Sequence, residues 1–378
     1  MQPLHLPPAS TSRGPVPGAD SVDTAFSGQG LRVVHAANYQ FKKDGLVFFN
    51  PDLKLHQGLV QHGCFVYPFS INDRARMLSL TGSKTFGKRR CNAALIKACR
   101  NISPDLLILG HAQYITRDTL DAIRNELPDI RIGLWFFDAL WSPENLVHIH
   151  ERADVIDAVF ATSSGPHLQS LSHPGCPSAF IPNPVEPSVE RLRAFENPRP
   201  RYDLVFFGMD KRAGERRRFL EQLVEALPDA ELGIFGSLGN SPVFGAQKER
   251  IFAESRMALN LNRQNTVELY SSDRIAQLTG NGLVVLTPEA KGFEQLFSRD
   301  EVVYFRDVGD LAAQVRRLKA DDAAAIEIAR AGWQRAHECY STRNVAAFIV
   351  ALTMRDEHYR QFPWSDHVFW SDAQSQAA

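Results

Sequence analysis

Four short constellations in this chain combine residue types that handle anions or protons. The first is Asp273–Arg274, in the stretch Tyr270–Pro288, YSSDRIAQLTGNGLVVLTP. Ser271 or Ser272 can cap a short helix there, because a serine hydroxyl accepts from an unpaired backbone N–H. Asp273 and Arg274 then occupy the first helical turn, where free N–H groups and the positive dipole end favour anions. The second is Asn262–Arg263, a little upstream. The third is Gly208 with Lys211 and Arg212, after the apolar run Tyr202–Phe207. A strand, a glycine, cations and a helix start suit a diphosphate: backbone N–H groups approach closely and cations neutralise charge. The fourth is His111 with Asp138, each directly after an apolar run. A histidine titrates near neutral pH and a carboxylate accepts a proton, so either can serve as a general base. Each has a plainer assignment: a solvated ion pair, an ordinary turn, a capping or loop hydrogen bond.

These residues do chemistry together only if strand ends share a rim. In the first half, Leu31–Asn38, Cys64–Phe69, Asp105–Gly110, Arg131–Phe137, Asp157–Thr162 and Ser178–Ile181 read as strands. Asn50–Pro51 opens a helix, with Asn as cap and Pro at the first helical position. The basic cluster Lys84–Arg90 stands ahead of a helix running to about Arg100, and Thr116 caps a helix to Leu127. The strand–helix–strand order implies a parallel sheet with right-handed crossovers. Ligands in such sheets bind outside the carboxyl ends of strands, so Phe69–Asp73 reads as a cleft loop. Pro182–Pro187, PNPVEP, forbids helix and marks a hinge.

The second half repeats the grammar. Strands are expected at Tyr202–Phe207, Glu231–Phe235, Met257–Asn262, Leu283–Thr287 and Glu301–Phe305, with helices between them and a last one over about Thr342–Tyr359. The fold class expected is α/β, with two parallel-sheet domains facing a cleft. Residues 1–30, rich in Pro, Ser and Gly, form a disordered tail in this reading. Residues 31–182 form the first domain, 183–341 the second, and 342–378 a helix with an aromatic tail. Phe362, Trp364, Phe369 and Trp370 on that tail would be costly to expose, so they pack back on the first domain. Their other use would be anchoring at a membrane interface.

With 378 residues, 44% hydrophobic and 22% charged, the composition is globular, and a net charge of −1 gives no field pointing to nucleic acid. Five cysteines show no CxxC and no His/Cys metal spacing, so scattered buried thiols in a reducing compartment are expected. The apolar stretch near Val345–Thr353 falls well short of the ~20 residues a membrane span needs. No secretion signal is evident, and a cytoplasmic location is expected, with room for peripheral contact at the inner face of the membrane. The Lys84–Arg90 cluster suits either plain solvation or an anionic acceptor or membrane surface.

In this order of elements, the Tyr270–Pro288 stretch resembles the donor-site helix of nucleotide-sugar glycosyltransferases of the two-domain GT-B fold. The nearest look is to bacterial family-1-type transferases that include the CgeB-like proteins. There the helix precedes a small-residue turn and an apolar strand, and it binds the nucleotide ribose and diphosphate. The family pattern has a glutamate five residues before the turn glycine; aligned on Gly282, this chain has Gln277, which can still bond ribose hydroxyls but carries no charge. Gly110–His111–Ala112 and Trp135–Asp138 are similar to strand ends that face the cleft in a bacterial subgroup, and Ile181–Pro182–Asn183 is similar to the GT-B domain junction.

The resemblance implies transfer of a hexose-type sugar from a nucleotide-diphosphate sugar to a carbohydrate or lipid-linked cell-envelope acceptor, without metal or other cofactor. It implies that Arg274, helped by Arg263 and Lys211, meets the diphosphate beside Gly208. Ser272, Asp273 and Gln277 would meet the donor's ribose or sugar hydroxyls, and Asn262 would belong to the same donor site. Asp138 or His111 would be the base if the reaction inverts the anomeric centre. Two other classes fit: a nucleotide-sugar epimerase or hydrolase on the same fold, and a nucleotide-sugar-binding protein with a degenerate site.

Overall fold

A computed structural model describes residues 28–210 and 214–371. The tail expected over residues 1–30 therefore lies almost wholly outside the described residues, as does Lys211. The first half runs β1 (Arg32–Ala37), α1 (Pro51–Gln61), β2 (Phe65–Ser70), α2 (Ile71–Met77), α3 (Lys84–Ile102), β3 (Leu106–Gly110), α4 (Arg117–Glu126), β4 (Arg131–Phe136), α5 (Pro143–His150), β5 (Ala158–Ala161), α6 (Pro166–Gln169) and β6 (Ser178–Phe180). The second runs β7 (Tyr202–Phe207), α7 (Glu215–Ala226), β8 (Leu232–Phe235), α8 (Gly245–Ala253), β9 (Ser255–Leu259), α9 (Arg274–Gly280), β10 (Val284–Pro288), β11 (Val303–Phe305), α10 (Val308–Ala320) and α11 (Asp322–Cys339). The chain closes with α12 (Thr342–Met354) and β12 (Val368–Phe369).

Two separate sheets result, ordered β12-β6-β5-β4-β3-β1-β2 and β11-β10-β9-β7-β8. Every pairing is parallel except β12 on β6. β3 and β5 are buried along their whole length and β4 beyond Arg131, as unbroken apolar runs require when helices cover both faces. Asn50 caps α1, accepting from the Asp52 N–H at 2.9 Å.

Three expectations need correction. The carboxyl end of β2 passes straight into α2, so Phe69–Asp73 is not a loop. The Lys84–Arg90 cluster forms the first turns of α3 rather than preceding it. The last helix stops at Met354, where Arg355 turns left-handed at φ +66°.

The chain returns to the first half after α11. The Val185 N–H donates to the Tyr340 carbonyl and the Thr342 N–H to the Val185 carbonyl, each at 2.8 Å, so the returning chain docks on the hinge. α12 then lies against α1, and Gly58 makes the approach: a Cβ there would sit 2.2 Å from the Thr342 carbonyl oxygen. α12 is apolar on nearly every face and correspondingly buried. Phe362 and Trp364 pack on Phe348 of α12, and Phe369 pairs with the edge of the first sheet. Trp370 stays half-exposed under Arg355.

Candidate active site

The carboxyl ends of β3, β4, β7 and β9 deliver the chemistry. His111 follows β3 and Asp138 lies two residues past β4; the His111 Nε2 stands 3.0 Å from an Asp138 carboxylate oxygen. His111 adopts φ +46°, a left-handed conformation that costs a non-glycine residue on the order of 1 kcal/mol. Its ring stacks on Phe136 with centroids 4.7 Å apart, which fixes the imidazole plane. The histidine bond, joined by the charge of Arg263, holds the Asp138 carboxyl below the usual carboxylate range. His111 is largely covered and its Nδ1 is buried without a hydrogen-bond partner, whereas half of the Asp138 side chain is open. Behind them, Asp52 is fully buried, accepting from the Trp135 indole at 2.9 Å and the Asn38 N–H at 3.0 Å.

Opposite this pair stand the loop after β9 and the start of α9. The Arg274 Nε donates to the Phe207 carbonyl at 2.7 Å, and its Nη1 reaches the Leu261 carbonyl at 3.2 Å and Ser272 Oγ at 3.3 Å. A Cβ on Gly208, just past β7, would lie 2.7 Å from the Phe206 ring and 3.1 Å from the Arg274 Nη2, so glycine there leaves the guanidinium room. Arg216, in the first turn of α7, donates to the Met209 carbonyl at 2.8 Å. Among the described residues neither forms an ion pair, and nor does the exposed Arg263. Burial, then the neighbouring Arg216, pushes the Arg274 guanidinium down to about 10. Burial and Arg263 likewise lower Arg216. Three arginines gathered with no carboxylate in ion-pair contact among the described residues are a surface prepared for an anion.

Tyr270 joins the two walls. Burial raises its hydroxyl, opposed by Arg263, Arg274 and Arg216, and the Asp138 charge also reaches it. Trp141 of the first half meets its ring edge-on, centroids 4.7 Å apart.

The other residues expected at the site fall differently. Asn262 accepts from Asn260 at 3.3 Å, and its amide nitrogen is buried without a partner, a donor available to a ligand. Neither Ser271 nor Ser272 caps α9. Asp273 holds the N-cap position without a side-chain bond there, because both hydroxyls turn inward to the asparagines after β9. Asp273 and Gln277 are engaged within the protein. Asp273 lies 3.6 Å from the Lys54 ammonium of α1, which also bonds Glu190 at 2.9 Å. Gln277 donates to Asp273 and accepts from the buried Lys248. Burial drives Glu190 up to about 7 and Lys248 down to about 8. Against the pull of burial, Asp273 and Glu190 hold Lys54 above its ordinary value.

Sequence reasoning passed over Arg216, Tyr270, Trp141 and Asn260. The run Arg216–Arg218 just inside a helix start was an available signal for the first. Nothing local marks the aromatic pair, which forms only when the halves meet.

Residues 212–351 match the glycosyl transferase-like family. None of the curated proteins matches the chain in sequence. Among solved structures, a sucrose-phosphate synthase from Thermosynechococcus elongatus aligns at TM-score 0.52 and 12% identity, covering 88% of this chain and 98% of its own. AviGT4, a glycosyltransferase involved in avilamycin A biosynthesis, aligns at 0.53 and 12% identity, covering 86% and 97%. A candidate UDP-N-acetylglucosamine 2-epimerase from Listeria monocytogenes aligns at 0.51 and 10% identity, covering 88% and 97%. At such identities the likeness is one of fold, and with the two parallel sheets it makes the architecture GT-B-like.

Proposed function

We propose that this chain is a glycosyltransferase that takes a sugar from a nucleotide-diphosphate donor. The observation that carries the reading is the trio Arg216, Arg263 and Arg274, without ion-pair partners among the described residues, standing across a cleft from Asp138 and His111. The match of residues 212–351 to the glycosyl transferase-like family supports it independently.

In this reading the donor diphosphate lies against Arg274 and Gly208, with Arg216 and Arg263 flanking it. Asn262 and Ser272 bond donor hydroxyls. Asp273 and Gln277, whose polar atoms already serve Lys54 and Lys248, support that wall rather than touch ribose. An acceptor hydroxyl attacks the anomeric carbon, the bond from that carbon to the phosphate oxygen breaks, and its electron pair stays on the departing diphosphate. The arginines offset the charge that grows there, so the step needs no metal; such contacts are worth roughly 10²–10³ in rate each. If configuration inverts, Asp138 takes the acceptor proton. It is the open member of the pair, while the His111 nitrogens are one bonded and one buried. A carbohydrate or lipid-linked acceptor fits this chemistry.

The test is release of nucleoside diphosphate from a panel of nucleotide sugars, with chelator present, with and without candidate acceptors. Acceptor-dependent release supports transfer. Conversion of a donor to its epimer, or release that ignores acceptor, replaces it with an epimerase or hydrolase. Binding without turnover assigns a binding protein.

A further inference from the structure

We propose that the α2–α3 hairpin docks this protein on an anionic membrane surface. Between Asp73 and Asp105 the chain carries eight lysines and arginines and no aspartate or glutamate, in a protein whose net charge is −1. Arg74, Arg76, Lys84, Lys88, Arg89 and Arg90 form no ion pair among the described residues. Elsewhere on the surface, arginines such as Arg117, Arg217 and Arg299 each have carboxylate partners. Set among these cations are three large apolar side chains that the fold leaves open: Met77 at 68% exposure, Leu80 at 94% and Phe86 at 77%.

The exposure is built in. At Gly87 the two helices touch, a Cβ there falling 1.7 Å from the Ala75 carbonyl oxygen. Gly87 thus faces α2, and its neighbour Phe86 is turned outward. The Arg90 Nη1 donates to the Leu78 carbonyl at 2.9 Å, holding the turn that carries Leu80 at its tip. The loop after β1 extends the patch with exposed Phe41, Lys42 and Lys43, and with Asp44 as its acid. Asp73 accepts from the Phe41 N–H at 2.8 Å and from the Ser70 hydroxyl at 2.6 Å, which occupies the acid at the edge of the hairpin.

Apolar tips ringed by unpaired cations suit insertion at the level of anionic headgroups, where burial of the tips and attraction of the cations act together. A soluble polyanion would use the cations and leave Leu80 and Phe86 in water. α2 begins at the carboxyl end of β2, so the bilayer would lie beside the His111–Asp138 side of the cleft. The docking does not rest on the proposed transfer reaction, because its test reads no turnover.

The experiment is sedimentation of the full chain with vesicles of phosphatidylcholine alone and of phosphatidylcholine with one-quarter phosphatidylglycerol. We expect binding to the anionic vesicles only, loss at high salt, and at least a roughly tenfold weaker partition for L80E/F86E and for K88Q/R89Q/R90Q. Unchanged thermal midpoints show that both variants fold. No binding to anionic vesicles overturns the proposal. So does full binding by L80E/F86E, or equal retention on a soluble polyphosphate independent of Leu80 and Phe86, which would reassign the patch to an anionic polymer.

Discussion

Asp273 and Arg274 are neighbours in sequence and face opposite environments. Asp273 turns toward α1, where the buried Lys54 is shared by two carboxylates. Arg274 turns toward the cleft, where its guanidinium rests on carbonyl oxygens and meets two more arginines. The paired cation has its affinity for a proton raised; the unpaired one has it lowered. A buried cation that the protein itself neutralises is structural, whereas one left to carbonyls is poised for a ligand. The first joins the two halves and the second waits between them.

The sharpest break of this comparison is Lys54→Met. It leaves the buried Glu190 and the partly covered Asp273 without their cation and should cost about 3–5 kcal/mol in a urea titration; a change below about 1 kcal/mol would make the junction incidental. Arg274→Ala should do the reverse, lowering turnover by roughly 10²–10³ while leaving the urea midpoint near wild type. Unfolding of that variant would mean Arg274 is structural too.

The Lys54 side also has a pH signature. The folded state holds Glu190 at about 7 against 4.5 in the unfolded chain, so folding takes up a proton between those values. Its stabilising contribution is complete below pH 4.5 and is lost as pH rises through 7. Wild type should therefore lose up to about 3 kcal/mol relative to Glu190→Gln across that window. Parallel stability–pH curves would contradict the burial cause. The smallest effect is expected from Gly208→Ala, whose methyl crowds Arg274. It should weaken nucleoside diphosphate binding about tenfold, or 1.4 kcal/mol, by calorimetry.

The scaffold was legible where strands are buried on both faces. Tyr202–Phe207 is a strand to the residue, and Arg131–Phe137 overshoots by one, because an unbroken apolar run has few other uses. The rim positions of His111, Asp138 and Gly208 followed from that, since strand ends are where such sheets leave room; Arg274 was read instead from the start of a short helix. Phe69–Asp73 misled because a strand's carboxyl end was expected to open into a loop, while here the chain enters a helix at once and Asp73 serves Ser70 and the Phe41 backbone from inside it. Lys54 was invisible for a different reason: it lies between Leu53 and Leu55 in an ordinary helix, and its partner Glu190 is 136 residues away. Pairing across the halves leaves no local pattern. Arg216 was missed because the strand–glycine signal points to the loop residues before it.

The measurement that bears most directly on the central claim is the thermal midpoint of wild type and Arg274→Ala against uridine, guanosine, adenosine and thymidine diphosphates without metal. A ligand that binds only the folded state raises the midpoint by mass action. The account expects one diphosphate to raise the wild-type midpoint, its monophosphate to do so less, and Arg274→Ala to lose the shift while keeping its own unliganded midpoint. An undiminished shift in Arg274→Ala, or no shift with any diphosphate, would contradict it.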